Sequence, residues 1–386
     1  MSGGGDSTAL LHLAARHGGH DWHVATVDHG LRAAAAAEAA RVAAAAAALG
    51  LPHEILRPPA PPPPVQARLR EARRALLTEW AARRGLTEIL TGHTRDDQAE
   101  TVLMRLSRGG GAEALAAIPA APSGSPFRRP LLDVSRADLR DWLAARGIGW
   151  DEDPSNDDPA HERVRIRAAL AALGPDAPPS SMLARTARRM ADASRALDWA
   201  AAAAARDVAV LSPAGDAAID RAGIEAVPRE IARRILRAAI AAVGRREVRP
   251  REAALDRILD AAPGQGGAGL ALAGCRLRLT ERRLRVFRDP REAARSALPL
   301  GAGAEHGVDW DRRWRVSGQG ELVTSTLAAG LRRPAEMAEA GIADLAWQSL
   351  PAIVSGGTAR ALFPDGGGAG RAALLERDLF APRHAH

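Results

Sequence analysis

The sequence contains no lysine and no tyrosine, and its 386 residues include one cysteine, Cys275. A single cysteine excludes a disulfide framework, a pair of redox cysteines and a four-thiolate metal site. Aromatic residues make up only 3% of the chain, so the core must be built from alanine and aliphatic residues. No apolar run approaches the length of a membrane helix, and the first residues lack an export pattern. We therefore expect a cytoplasmic protein with no membrane partner.

Because lysine is absent, all 53 basic residues are arginine, and the net charge is +7. An arginine guanidinium stays charged and forms forked contacts with phosphate. A GC-rich genome would explain arginine in place of lysine, but it leaves the positive excess unexplained. The excess is compatible with a nucleic acid as partner.

Hydrophobic periodicity divides the chain into three predicted domains. Residues 1–173 alternate strand-like and helix-like segments, which predicts an α/β fold with a doubly wound parallel sheet. Residues 182–262 are predicted to be helical. Residues 264–386 are predicted to form a small β-containing C-terminal domain, which begins with a hairpin over residues 270–287. Segments 174–181 and 263–269, rich in proline, serine or glycine, are the predicted linkers.

A glycine turn near the amino end leads directly into a predicted helix. Glycines let the backbone approach a ligand closely, and amides at a helix N-terminus bind anions. The turn lacks the Gly-Lys-Ser/Thr ending of a P-loop and the glycine spacing of a dinucleotide fingerprint. A glycine-rich tail without function is the alternative interpretation. The candidate phosphate-binding residues are Ser2, Gly3, Gly4, Gly5, Asp6 and Ser7.

This turn resembles the Ser-Gly-Gly-x-Asp-Ser loop of the N-type ATP pyrophosphatase (PP-loop) superfamily. The resemblance implies an adenine nucleotide α-hydrolase-like fold, cleavage of ATP between its α and β phosphates, and adenylation of a carbonyl oxygen. In that superfamily an apolar strand precedes the loop, whereas here only Met1 does. Loss of a central strand would leave unpaired backbone and a gap in the core. We therefore expect that strand to be encoded upstream of Met1.

Polar residues follow two other predicted strands. Asp28 and His29 end one strand, and His93 follows another. The carboxyl ends of strands in a doubly wound sheet meet at the ligand crevice. We therefore expect these three side chains to lie near the glycine turn.

Three acidic residues, Asp96, Asp97 and Glu100, lie within one turn of a predicted helix. Acidic residues at a helix N-terminus complement the helix dipole, which is one explanation. The other is a carboxylate site for Mg²⁺ that bridges the phosphates of ATP. Asp97 and Glu100 are the candidate metal ligands, and the sequence does not choose between them.

Four arginines are candidate RNA contacts. Arg108 precedes three glycines, and Arg163, Arg165 and Arg167 alternate with apolar residues. Each could contact an RNA backbone or be a solvated surface charge, and the sequence leaves both interpretations open.

Together, segments 27–32, 91–101, 129–132, 151–156 and 163–167 resemble the tRNA(Ile)-lysidine synthetase family in order and spacing. The resemblance covers residues 2–167 closely, although the family has asparagine where Val164 stands. It implies that ATP adenylates O2 of the wobble cytidine of tRNA(Ile) with a CAU anticodon, and that free L-lysine then displaces AMP to give lysidine. It also implies a Mg²⁺ cofactor. The implied catalytic residues are Asp6, Asp28, His93 and Asp97, and His29 joins the glycine turn in binding ATP.

Three alternatives are weighed against this interpretation. A tRNA thiolase of the same superfamily needs paired cysteines or an iron–sulfur cluster, which one cysteine cannot supply. An amidotransferase-type synthetase needs a nucleophilic cysteine or free ammonia. A non-catalytic RNA-binding protein would carry a decayed nucleotide site. The sequence leaves the oligomeric state open, with a homodimer as one option.

Overall fold

A computed structural model describes residues 1–30, 35–58, 66–122, 124–152, 160, 162–172, 174, 178–244, 250–262, 270–300, 308–318, 320–335, 337, 343–362 and 370–374. The chain divides into two compact units, which comprise Met1–Ser194 and Arg195–Ala381. No helix within the described ranges is long and apolar enough to cross a membrane.

The first unit alternates helices with short strands, as the periodicity predicts. Its strands are β1 (Val24–Val27), β2 (His53–Leu56), β3 (Ile89–Leu90) and β4 (Phe127–Arg128). Its helices are α1 (Gly5–His17), α2 (Ala35–Ala48), α3 (Gln66–Arg83), α4 (Arg95–Leu106), α5 (Ala112–Leu115), α6 (Arg136–Ala144) and α7 (Glu162–Ala172), and α8 (Ser180–Val208) begins here.

The strands of the first unit pair in parallel, which agrees with the predicted α/β class. β1 pairs with β2, and β3 pairs with β4. In the described residues no strand hydrogen-bonds to both pairs, so the two pairs are not joined into one sheet there. On β1, the carbonyl of Ala25 instead accepts a hydrogen bond from the amino group of Met1.

Helix α3 joins the two strand pairs through its apolar face. Its Leu77, Trp80 and Ala81 pack in one cluster with residues of all four strands, including Leu56 of β2 and Phe127 of β4. Burial of such side chains contributes about 25 cal/mol for each Å² of apolar surface removed from water. Packing of α3 therefore holds the ends of these strands in one region.

Two predicted features of local structure have clear outcomes. The sequence predicts a helix over residues 135–146, with Ser135 as its N-cap and Gly147 after its end. The cap is confirmed, because the side chain of Ser135 accepts from the amide of Asp138 at the start of α6. Residues 163–167, where arginine alternates with apolar residues, lie in helix α7. At 3.6 residues per turn, Arg163 and Arg167 share one helix face and Arg165 does not.

The second unit contains the rest of α8 and three antiparallel sheets. Its other helices are α9 (Arg221–Ala226), α10 (Arg229–Gly244), α11 (Glu252–Leu259), α12 (Pro290–Ala294) and α13 (Asp344–Gln348). The first sheet has the order β5-β6-β9-β8-β7, from β5 (Ala209–Leu211), β6 (Ala217–Asp220), β7 (Leu270–Leu272), β8 (Cys275–Leu279) and β9 (Arg283–Arg288). The others are β10-β13-β14-β15 and β11-β12-β16, from β10 (Leu298–Pro299), β11 (Val308–Trp310), β12 (Trp314–Gly318), β13 (Leu322–Ser325), β14 (Pro351–Ser355), β15 (Thr358–Ala361) and β16 (Gly370–Leu374).

The first sheet corrects two details of the sequence interpretation. Strands β5 and β6 interrupt residues 182–262, which were expected to be helical throughout, and β6 pairs with β9. The expected hairpin is present as β8 and β9, but a turn at Ala273 and Gly274, both at positive φ, separates β7 from β8. The predicted linker 263–269 lies outside the described residues, as do residues 175–177 of the other linker. The division into three domains remains a prediction.

Two guanidinium groups converge on one buried carboxylate in the second unit. Asp311 accepts from Arg288, with Nη2–Oδ1 at 2.6 Å and Nε–Oδ2 at 3.0 Å, and from Arg313 Nε at 3.0 Å. Ser296 also donates to Asp311. Burial raises the pKa of Asp311, but Arg313 and Arg288 outweigh burial and lower it. The folded unit is therefore stabilised by an ionised Asp311.

We predict that Asp311→Asn lowers the free energy of unfolding at pH 7 by about 3–5 kcal/mol, because two buried guanidiniums lose their counter-charge. Urea unfolding measures the loss. The pKa of Asp311 is lower in the folded protein than in the unfolded chain, where it is about 3.9. The stabilisation by ionised Asp311 is therefore fully present above about pH 3.9 and is lost as pH falls through the folded pKa.

Asp309→Asn is the matched control, since its partner Arg315 is 48% exposed. An exposed pair of this kind contributes about 0–1 kcal/mol. Equal losses in the two variants at pH 7 would contradict the assigned role of Asp311.

Candidate active site

The first unit contains a cavity of about 1740 Å³. The glycine turn, the chain that follows β3 and β4, and parts of α3, α4 and α7 line it, together with the segments that precede β1 and β3. The carboxyl ends of parallel strands are where ligands bind in α/β folds. The cavity is therefore the candidate active site.

The glycine turn is attached to the chain near Asp151. Gly3 has φ +83°, and a Cβ added to it would lie 2.8 Å from Oδ2 of Asp151. The amide of Asp151 donates to the carbonyl of Gly3 at 3.0 Å, and Arg41 holds the Asp151 carboxylate at 2.8 Å. Only glycine fits at position 3, since both the backbone conformation and the close approach exclude a side chain.

Helix α1 begins at Gly5, directly after this turn. Its N-cap, Gly4, provides no side-chain cap, and the first amides of an α-helix have no carbonyl partner within it. The hydroxyls of Ser2 and Ser7 lie 3.2 Å apart, and Ser7 donates to the carbonyl of Gly4. All these residues line the cavity, so the predicted phosphate-binding turn borders the space where a ligand would lie.

Gly92 brings the end of β3 against the glycine turn. A Cβ at Gly92 would lie 3.0 Å from the carbonyl oxygen of Asp6 and 3.3 Å from the nitrogen of Ser7. Contacts this short with backbone atoms cannot be relieved by rotating a side chain. The absence of a side chain at position 92 therefore allows the end of β3 to lie close to the backbone of Asp6 and Ser7.

Arg136, at the start of α6, lies among three carboxylates. Its Nε donates to Asp6 at 3.2 Å, and its terminal nitrogens donate to Asp97 and Glu100, each at 3.4 Å. Asp97 and Glu100 are buried, with 7% and 2% of their surface exposed. Arg136 therefore connects the glycine turn to helix α4.

The charges of this cluster alter one another's ionisation. Burial raises the pKa of Asp6, and burial together with Asp97 raises the pKa of Glu100. Burial lowers the pKa of Arg136, but the three carboxylates outweigh burial and raise it. Arg136 therefore stays positively charged, whereas the ionised forms of Asp6 and Glu100 are disfavoured by their surroundings.

Two of the acidic residues, Asp97 and Asp96, also accept hydrogen bonds from amides at the start of a helix. Asp97 accepts from the amide of Thr94 at 2.8 Å, in a capping box at the start of α4. Asp96 accepts from the amide of Arg136 at 2.7 Å. The dipole explanation therefore accounts for Asp96, while the second oxygen of Asp97 faces Arg136 and Arg163.

The oxygen chemistry of Asp97 and Glu100 fits Mg²⁺, which proteins usually hold with one or two carboxylates plus substrate phosphates. Across the described ranges, no three histidine, cysteine or acidic side chains are grouped so as to hold a metal ion. Two carboxylates are too few ligands to hold Mg²⁺ by themselves, so Asp97 and Glu100 would hold it only together with the phosphates of a bound nucleotide.

His93 lines the cavity, whereas Asp28 and His29 do not. Burial, with help from nearby arginines, lowers the pKa of His93 to about 4, although Asp97 acts in the opposite direction. The carboxylate of Asp28 accepts from the amide of Gly30 at 2.9 Å and from Arg57 at 3.2 Å, and these contacts lower its pKa. Burial lowers the pKa of His29. The sequence placed all three residues near the glycine turn, and of the three only His93 lines the cavity.

Three of the four candidate RNA-binding arginines line the cavity. Arg163 donates to Asp97 at 3.4 Å, Arg167 lies 3.2 Å from Glu100, and Arg108 pairs with Glu162. Arg165 lies on another face of α7 and donates to the carbonyl of Ala160 at 2.9 Å. Their role in RNA binding remains a prediction.

Sequence reasoning missed Arg136, Gly92 and Arg41 as parts of the site. Arg136 follows the Ser135 cap that the sequence identified, so its place at the first turn of a helix was a usable signal. Nothing in the sequence indicates that it meets Asp6, which is 130 positions away.

We predict that Glu100→Gln becomes more stable relative to wild type as pH rises from 4 to 8. The folded pKa of Glu100 is raised, so its contribution to stability is present below the unfolded value of about 4.3 and lost as pH rises through the folded pKa. Glutamine cannot ionise and escapes this loss. Urea unfolding at several pH values measures the difference.

Glu79→Gln is the control, because Glu79 lies on the exposed side of α3 in a surface pair with Arg83. Its stability difference from wild type should stay nearly constant over the same pH range. A constant difference for Glu100→Gln would contradict the predicted cost of burying that charge.

Comparisons with known proteins bear on this site. The PP-loop domain family matches residues 1–173, which contain the whole cavity. A tRNA(Ile)-lysidine synthase from Ruegeria pomeroyi is 40% identical over 92% of this chain and 85% of its own length. Another from Methylobacterium sp. is 42% identical over 72% of this chain and 87% of its own length.

Among solved structures, the U34-tRNA thiolase NcsA from Methanococcus maripaludis aligns with 49% of this chain and 70% of its own, at 16% identity and a TM-score of 0.42. That score is too low to bear on fold or function. The match to the synthases over nearly the whole sequence is decisive, and this chain belongs to the tRNA(Ile)-lysidine synthase family.

Proposed function

We propose that this protein is an ATP-dependent ligase that converts the wobble cytidine of isoleucine tRNA with a CAU anticodon to lysidine. The observation that carries the proposal is the phosphate-binding turn at one cavity with Asp97, Glu100 and His93, in a chain of this family. Its substrates are ATP, free L-lysine and the tRNA.

The reaction has two steps. In the first, O2 of cytidine bonds to the α phosphorus of ATP, the bond between the α and β phosphates breaks, and pyrophosphate leaves. In the second, the lysine ε-nitrogen bonds to C2, the C2–O2 bond breaks, and AMP leaves with the oxygen. Adenylation is required because the C2 oxygen of cytosine is otherwise a poor leaving group.

The glycine turn would stabilise the departing pyrophosphate. Amides at the start of α1 are donors that are in place before the reaction. Donors fixed in advance stabilise developing charge without reorganisation. We assign the phosphates of ATP to Ser2 through Ser7.

Asp97 and Glu100 would hold Mg²⁺ once ATP is bound, and the ion would supply a Lewis acid that neutralises phosphate charge. Arg136 keeps these carboxylates and Asp6 together at 3.2–3.4 Å. His93 is neutral near pH 7, so it can accept a proton but has none to spare as an acid. Asp28 remains a candidate on the resemblance alone.

The thiolase alternative finds no support in the described residues. Cys275 is fully buried in the second unit, and burial raises its pKa to about 12. A thiol with such a pKa is protonated and unreactive near neutral pH.

Asp6→Ala should abolish lysine incorporation into the tRNA without unfolding the protein. The change removes a carboxylate from the cavity and a partner of Arg136, but no apolar core. Mass analysis of nucleosides after incubation with tRNA, ATP and lysine measures the product. Asp141→Ala, at an exposed position of α6, is the control and should retain activity. Full turnover by Asp6→Ala would contradict the site assignment.

Gly92→Ala should lower turnover by about threefold to tenfold, because its Cβ would push the glycine turn away from the end of β3 by a few tenths of an ångström, and a displacement of about 1 Å can cost a factor of about 10². Gly149→Ala is the matched control, since a Cβ there meets nothing within 4 Å. Equal turnover in the two variants would show that this approach has no bearing on the reaction.

A further inference from the structure

One wall of the cavity carries arginines to which the proposed reaction assigns no role. Arg70, Arg73 and Arg74 lie in the first half of α3, and Arg129 follows β4 directly. No salt bridge joins any of these four to a carboxylate in the described residues. By contrast, Arg68 and Arg83 of the same helix pair with Glu71 and Glu79, and Arg84, directly after the helix, pairs with Glu54.

Topology places these arginines at the edge of the strands where ligands bind. Helix α3 packs on the strands through Leu77 and Ala81. Arg74 lies one turn before Leu77 on the same face, and Arg70 lies two turns before it. A helix that connects parallel strands runs antiparallel to them, so its first half lies beside their carboxyl ends. The guanidinium of Arg74 lies 5.0 Å from the ring centre of Phe127 in β4.

The four guanidiniums are close enough to disfavour one another's charge. Burial, followed by Arg163 and Arg74, lowers the pKa of Arg70, and burial and Arg70 lower that of Arg73. Burial and Arg74 lower the pKa of Arg129. In addition, Nε of Arg129 is buried without a hydrogen-bond partner. Arg70, Arg73 and Arg74 are exposed to solvent at the cavity wall, so water screens part of their mutual repulsion, and a bound anion would relieve the rest.

We propose that Arg70, Arg73, Arg74 and Arg129 bind the sugar–phosphate backbone of the RNA strand that carries the target base. The inference rests on the proposed function, because it names how that RNA enters the cavity. Four cations suit more than one phosphate, and guanidinium forks match phosphate geometry. The glycine turn, which lines the same cavity, is assigned to ATP, so the RNA backbone is the polyanion left for this cluster.

The test compares two double variants that remove the same charge from α3. Arg70→Gln/Arg74→Gln alters the cluster, and Arg68→Gln/Arg83→Gln removes two paired arginines that do not line the cavity. The probe is a transcript of isoleucine tRNA with a CAU anticodon, and affinity is measured over a range of salt concentrations. ATP binding without RNA is measured in parallel.

We expect the cluster variant to bind RNA about tenfold more weakly, and the slope of log K against log[salt] to fall by about 0.7–0.9 for each phosphate that the variant no longer neutralises. ATP binding should be unchanged. The control variant should stay close to wild type in both. Arg70→Lys/Arg74→Lys, which keeps the charge, should restore most of the salt slope. Removal of like charges should leave the unfolding temperature equal or higher, which excludes unfolding as the cause.

Two results would overturn the inference. In one, the cluster and control variants bind RNA with equal affinity and salt slope. In the other, the cluster variant loses ATP binding and keeps RNA binding, so that the arginines serve nucleotide phosphates. Lysidine formation by wild type is scored separately. If the cluster variant loses RNA affinity but wild type forms no lysidine, the proposed reaction is contradicted and this inference is not. If wild type forms lysidine but the cluster variant binds RNA as wild type does, this inference is contradicted and the proposed reaction is not.

Discussion

Buried carboxylates repel one another unless a cation lies among them, and Arg136 is that cation in the candidate active site. It donates to Asp6 from α1 and to Asp97 and Glu100 from α4. Arg136 is the group that all three carboxylates share, whereas Arg163 and Arg167 each contact one of them. The glycine turn and helix α4 are therefore held in fixed relation by charge as well as by packing. The raised pKa values of Asp6 and Glu100 show that the balance is incomplete.

The arginines that line the cavity include two sets. Arg136, Arg163 and Arg167 pair with carboxylates of α1 and α4, whereas Arg70, Arg73 and Arg74 have no salt bridge in the described residues. Two sets of this kind suit a reaction between two polyanions. ATP with its metal ion needs carboxylates and amides, while an RNA strand needs guanidiniums. His93 lies under the influence of both groups, and the arginines help to keep it neutral.

Much of the first unit could be predicted because its signals are local. The helix that begins at Gly5 and the cap at Ser135 depend on residues a few positions apart. The glycine turn was identified for the same reason. Interpretation failed where distant parts of the chain decide the outcome. Strands β5 and β6 are short; β6 pairs with β9, more than 60 positions later, and β5 pairs with β6. Likewise, the alternation of arginine and apolar residues at 163–167 fits a strand edge or a helix, and packing of α7 against α4 selects the helix.

The sequence by itself determined the chemistry of this protein. Its glycine turn, its acidic helix start and its arginine excess predict a phosphate-binding cavity and a polyanionic partner, because residue type and spacing fix which groups can bind an anion or a cation. Tertiary structure alone decided which of these groups meet. Arg136 reaches Asp6, Gly92 allows close approach to the glycine turn, and Asp28 turns away to Gly30 and Arg57. Such contacts join residues far apart in the chain, and their distances follow from the packing of helices and strands, which no local pattern encodes.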